Sequence, residues 1–137
     1  MAARLIRYIF IGYAIMYKIT VEEDFSSAHH LRDYEGKCAS LHGHNWKVRL
    51  TVRATELDER GISMDFGQLK KFLAELIRRF DHVDLNRTPP FDKLNPTAEN
   101  IARTIYELAK AELPDKITVD KVVLWESERN RVEYAEE

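Results

Sequence analysis

Between residues 42 and 53 the chain alternates with a period of two. His42, His44, Trp46, Val48, Leu50 and Val52 fall on one side, and Asn45, Lys47, Arg49, Thr51 and Arg53 on the other. Successive side chains of a strand point to opposite faces, so this is a strand with one face on a core and one in water. It is the clearest strand in the chain, and its apolar face begins with two histidines. Upstream, the odd positions Tyr17, Ile19, Val21, Glu23, Phe25, Ser27 and His29 repeat the pattern, with mostly polar residues between them. Here the apolar face ends in a histidine. A polar loop containing Gly36 joins the two segments, and an antiparallel hairpin would bring His29, His42 and His44 to one end of the sheet on the apolar side.

The period then changes. Phe66, Leu69, Leu73, Leu76, Ile77 and Phe80 follow helical spacing, and Asp65 with Gln68 offers a capping-box-like start, which predicts a helix of about four turns. Residues 81–96, with Pro89 and Pro90, read as a long loop of the kind that is often functional. A second helix is expected from a Thr97 cap, with Ile101, Ile105, Leu108 and Ala109 on one side and a stop before Pro114. Residues 117–126 and 131–135 read as two further strands, joined by a polar turn over 127–130. The order ββααββ predicts an α+β fold, an antiparallel sheet with helices on one face. No repeat or linker interrupts it, and 137 residues fit one domain, expected over 17–137. Residues 1–16 are expected to be an N-terminal extension. Their apolar run after Arg4 and Arg7 is shorter than the roughly 20 residues a membrane span needs. It also lacks a small-residue cleavage site, so an extra strand or a start at Met16 is expected instead of a secretion signal.

Composition narrows the partners. A chain with 45% hydrophobic and 32% charged residues is that of a soluble globular protein. Its net charge of -2, with both signs interspersed, announces neither nucleic acid nor an anionic membrane, which leaves a small molecule as the expected partner. One cysteine cannot form an intramolecular disulfide, so a reducing compartment, by default the cytoplasm, is expected.

Imidazoles at i and i+2 on a strand can share one Zn²⁺, and His29 would complete a set of three. Three protein ligands with an open fourth position is the pattern of catalytic zinc, and neutral ligands leave the ion its full charge. The plainer alternative, histidines that merely fall at strand ends, suits a lone residue better than three on one face. His30 points the other way and reads as a bystander. Cys38 admits three readings: a fourth metal ligand, an activated thiolate, or a small buried hydrophobe. Its neighbours Glu35, Gly36, Lys37 and Ser40 describe an exposed loop and argue against the last. Asp81 and His82 are either an ordinary helix C-terminus or a functional pair. Glu126, after an apolar strand run, is either a strand-end charge or a ligand anchor.

These residues resemble the 6-pyruvoyl-tetrahydropterin synthase and 6-carboxy-tetrahydropterin synthase family. The resemblance runs through Phe25-Ser-Ser-Ala-His29, Cys38-Ala-Ser-Leu-His42-Gly-His44, Met64-Asp65-Phe66, Phe80-Asp81-His82, Asn95-Pro96-Thr97-x-Glu99 and Glu126. It implies that His29, His42 and His44 are zinc ligands, that Cys38 is the catalytic base, and that Asp81 and His82 complete a catalytic triad with it. It further implies that Glu126 anchors a pterin, that Thr97 lies in the pterin pocket, and that the chain adopts the T-fold and assembles as a homohexamer, a dimer of trimers with active sites between subunits. Three residues separate Cys38 from His42, a spacing similar to that of the queuosine-pathway 6-carboxy-5,6,7,8-tetrahydropterin synthases. The implied reaction converts 7,8-dihydroneopterin triphosphate to the 6-carboxy product with release of acetaldehyde and triphosphate. The alternatives are the pyruvoyl-forming elimination on the same substrate and a non-catalytic zinc or pterin-binding module with Cys38 as a fourth ligand.

Overall fold

The computed structural model describes residues 15–137, so the expected N-terminal extension lies, but for Ile15 and Met16, outside the described residues. Four strands form one antiparallel sheet in the order β1-β2-β3-β4: β1 is Tyr17–His29, β2 His42–Ala54, β3 Thr118–Trp125 and β4 Arg131–Tyr134. Helices α1 (Phe66–Ile77) and α2 (Ala98–Glu112) connect β2 to β3. α1 packs on β1, and α2 packs on β3 and β4. Among the described residues no helix is long and apolar enough to cross a membrane.

The alternation seen in the sequence is the alternation of burial. Ile19, Val21 and Phe25 of β1, Trp46, Val48, Leu50 and Val52 of β2, and Val119, Val122 and Leu124 of β3 are buried with Leu69, Leu73 and Leu76 of α1 and Ile101, Ile105 and Ala109 of α2. Each such Val, Leu, Ile or Phe side chain stabilises the fold by about 1.5–3 kcal/mol relative to exposure. The registers of β2 and β3 shift between Thr51 and Val52, where Thr51 faces Lys121 and Val52 faces Val119, leaving Asp120 as the extra residue. A bulge of this kind adds local twist. On the face away from the helices, Asp120 meets Lys18 at 3.1 Å and Arg53 at 3.5 Å. Lys47, Arg49 and Arg131 cover Trp125 there, with Lys47 Nζ 4.2 Å from the ring centroid.

Both helix starts follow the caps in the sequence. Asp65 accepts from the Gln68 N–H and Thr97 from the Asn100 N–H, each satisfying one donor that a helix start leaves open. α1 is shorter than its apolar spacing predicts. It ends at Ile77 and continues as a 3-10 turn, Arg78–Phe80, so that Phe80 is still buried while Asp81 turns extended. The reason lies at the free edge of β1. His82 N–H donates to the Ser26 carbonyl at 2.6 Å, Ala28 N–H donates to the Val83 carbonyl at 3.0 Å, and the edge of β1 competes successfully for the chain that a further helical turn would have used.

Candidate active site

Cross-strand register assembles the site. His29 is the partner of His42 and Ser27 that of His44, so three imidazoles occupy adjacent places on the helix-facing side at the end of the β1–β2 hairpin. Ring centroids lie 4.6 Å apart for His29 and His42, 4.7 Å for His42 and His44, and 5.1 Å for His29 and His44. One nitrogen of each lies within 4.8 Å of the others. Trp46, the next residue along the same face of β2, sets its ring 5.0 Å from both His29 and His44 and walls the cluster off from the core.

Hydrogen bonds to the other ring nitrogens fix the tautomers. His29 Nδ1 donates to the Pro96 carbonyl at 2.8 Å, and His42 Nδ1 donates to the Ser40 carbonyl at 2.7 Å. A carbonyl only accepts, so each Nδ1 carries the proton and each Nε2 keeps a free lone pair. His29 Nε2 and His44 Nε2 are buried without a partner. A buried nitrogen without a hydrogen bond is costly unless something else takes the lone pair, and metal-binding histidines show this arrangement, with the second nitrogen held by a carbonyl. Burial lowers the pKa of His29, and the neighbouring His42 and His44 add to this against the bond to Pro96. Burial also lowers that of His44, against the opposing influence of Glu126. Both effects keep the rings neutral, the state a metal ion requires. The donors present therefore fit Zn²⁺, a borderline ion suited to imidazole.

Glu126 directly follows β3, and its Oε1 lies 3.8 Å from His44 Nε2, beyond hydrogen-bond range. Among the described residues its carboxylate has no hydrogen-bond donor, while its backbone N–H donates to the Asn130 carbonyl at 3.0 Å and closes the β3–β4 turn. Cys38 lies half-buried in a 3-10 turn, Lys37–Ala39, whose carbonyl accepts from Leu31 N–H at 2.7 Å. The donor cluster consists of the three imidazoles and does not include its sulfur. Thr97 sits beside Pro96, with its hydroxyl oxygen accepting from Asn100 N–H at 3.1 Å.

Asp81 and His82 follow the 3-10 turn at the β1 edge, outside the donor cluster. Asp81 Oδ1 accepts from Ser26 N–H at 2.9 Å and is 2.8 Å from His82 Nδ1. The Ser26 N–H first, then His82, lowers the Asp81 pKa, so it stays a carboxylate. His82 has a positive φ of 55° and a side chain 81% exposed. His82 borders a shallow groove at the β1 edge that is lined also by Ser26, Ser27, Ala28, Gly43, Asn45 and His44, so the groove reaches one of the three imidazoles. The cluster of metal-donor atoms itself comprises only the three imidazoles. The roles that sequence reading missed lie beyond the strands. Pro96, Arg32, Asn86 and Asn95 hold His29 and the backbone after it; Asn95 and Pro96 stand in the motif that carries the family resemblance, but without this role, and Arg32 had no signal beyond the polar character of its loop.

An antiparallel sheet carrying two helices on one face, with three imidazoles converging at one end, defines a T-fold protein with a candidate metal centre. Residues 18–137 match the family described as 6-pyruvoyl tetrahydropterin synthase, and the chain belongs to that family of enzymes. It is 33% identical over 126 residues to the 6-carboxy-5,6,7,8-tetrahydropterin synthase of Aquifex aeolicus, covering 74% of this chain and 77% of the relative. It is likewise 33% identical to the dihydroneopterin monophosphate aldolase of Pyrococcus furiosus, covering 85% of this chain and 95% of the relative. The structure of Caenorhabditis elegans 6-pyruvoyl tetrahydropterin synthase superposes with a TM-score of 0.78 at 26% identity, covering 90% of this chain and 97% of that one.

Proposed function

We propose that the chain is a zinc-dependent lyase that converts 7,8-dihydroneopterin triphosphate and water to 6-carboxy-5,6,7,8-tetrahydropterin, acetaldehyde and triphosphate. The observation that carries this reading is the pair of buried, unpartnered nitrogens, His29 Nε2 and His44 Nε2, with the unoccupied acceptor Glu126 beside them. His29, His42 and His44 would hold the ion. Bound there, zinc would act as a Lewis acid on the side-chain hydroxyls of the substrate.

The chain's own residues supply the rest. Glu126 offers two coplanar acceptors to the adjacent N–H donors of a pterin, a charge-assisted pairing that orients the ring. Thr97, through its cap on α2, sets the wall next to Pro96. The Cys38 thiolate removes a carbon-bound proton from the substrate side chain, and the imidazole of His82, held by Asp81, carries protons to and from it. Asp81 and His82, at the free edge of β1, would act at a site shared with a neighbouring copy. The proposed assembly is accordingly a homohexamer of two trimers, each copy a single domain over 17–137, and the proposed location is the cytoplasm. The three-residue gap between Cys38 and His42 and the relatives named as carboxy-tetrahydropterin synthases support the carboxy product.

Incubation of zinc-loaded protein with 7,8-dihydroneopterin triphosphate, with mass spectrometry of the products, is the test. Stoichiometric 6-carboxy-tetrahydropterin and acetaldehyde are expected. A 6-pyruvoyl product, or turnover only of the monophosphate, would replace the substrate and product assignment while keeping the site.

A further inference from the structure

Side chains hold the backbone just beyond His29, in place of a paired strand. Asn86 Oδ1 accepts from the His30 N–H at 2.8 Å, and its Nδ2 donates to the His30 carbonyl at 3.0 Å. Asn95 repeats the clasp two residues on, accepting from the Arg32 N–H at 2.9 Å and donating to the Arg32 carbonyl at 3.2 Å. A carboxamide that satisfies both polar groups of one residue does the work of a neighbouring strand. Arg32 returns the connection. Its guanidinium donates to the carbonyls of Phe91 at 2.8 Å, Leu94 at 3.2 Å and Asn86 at 3.2 Å, with a longer contact to Asp92 at 3.4 Å. The planar fork of five N–H donors suits several carbonyls at once, whereas a lysine ammonium is a point charge on a flexible stem.

The loop gathered in this way ends at Pro96. Proline has no N–H with which to anchor itself, so the position of its carbonyl depends on Asn95 before it and on α2 after it. Asn100 Nδ2 adds a bond to the Asn95 carbonyl at 2.9 Å. The Pro96 carbonyl in turn accepts from His29 Nδ1.

We infer that Arg32, acting with Asn95, is a positioning residue of the metal centre: it fixes the loop 86–96 so that the Pro96 carbonyl selects the His29 tautomer whose Nε2 is free to bind a metal. This rests on the reading of His29, His42 and His44 as ligands. The loop keeps an independent anchor in Phe91, which is fully buried, so Arg32 can be changed without removing the segment from the core.

The test compares parent, Arg32→Gln, Arg32→Lys and Asn95→Ser, with Arg49→Gln as a control, since Arg49 lies on the other sheet face against Glu22. Nitrogen-15 NMR of the metal-free proteins, at a pH where the rings are neutral, reads the His29 tautomer. Absorption titration with Co²⁺ reads affinity. The parent and the control should show one tautomer, protonated at Nδ1. The Arg32 and Asn95 variants should show a mixture, and about 10- to 100-fold weaker Co²⁺ binding, the usual cost of losing an outer partner of a metal ligand. Parent-like tautomer and affinity in the folded variants overturn the inference, as does weaker binding with an unchanged tautomer. A parent that takes up no Co²⁺ defeats the metal reading instead, and the tautomer comparison still decides whether Arg32 positions His29.

Discussion

Replacing Glu126 with glutamine changes almost no volume and removes one charge. The carboxylate has no hydrogen-bond donor among the described residues, and its side chain is 28% exposed, so its acceptors are open to a ligand without breaking an internal bond. Its contact with His44 Nε2, at 3.8 Å, is with a ring that burial keeps neutral, so it is not a full ion pair. The backbone tie to Asn130 is indifferent to the side chain. The predicted loss is therefore confined to the ligand: a hydrogen bond to a charged group contributes about 1.5–3 kcal/mol, so a dihydropterin should bind roughly 10- to 160-fold more weakly to Glu126→Gln. Glutamine also presents an NH₂ to one of the pterin's N–H groups, which places the effect toward the upper end. Zinc content and melting temperature should match the parent. Calorimetric titration with a non-reacting dihydropterin measures the affinity, and equal binding by variant and parent would remove Glu126 from the pocket.

His44→Ala should lose both zinc and turnover, whereas Cys38→Ala should keep zinc and lose turnover. Metal analysis beside a product assay separates them, and full zinc in His44→Ala or lost zinc in Cys38→Ala contradicts the assigned roles. In the metal-free protein, His29 and His44 have pKa values below the ordinary 6.5. The unfolded chain therefore binds protons before the folded one, and stability should fall as pH drops below about 6.5 and level off once the folded rings also protonate. Thermal melts should show this slope, smaller in His44→Gln; an identical slope in that variant would refute the cause. Thr97→Ala should cost about 1 kcal/mol through the lost α2 cap, while Thr97→Ser, which keeps the acceptor, should cost far less in denaturant unfolding. Equal losses would show that the hydroxyl does not act as the cap.

The local rules were legible in the residues. Period-two alternation placed β1 and β2 and put three histidines on one face, because side-chain direction in a strand depends only on parity. Asp65 and Thr97 announced both helix starts, because a cap is satisfied within a few residues of itself. The apolar spacing through Phe80 predicted a longer α1, and the edge of β1 shortened it, a competition between segments far apart in sequence. Period likewise could not choose a role for Glu126, since its distance from His44 depends on how β3 aligns with β2 across two intervening helices. The orientation of His29 was hidden for the same reason: the carbonyl that holds its Nδ1 belongs to Pro96, 67 residues away. The sequence by itself thus determined which side chains share a face, a property of the backbone period. Only the tertiary structure decided which of them meet, and which ring nitrogen is left free, because those depend on contacts between segments that no local pattern encodes.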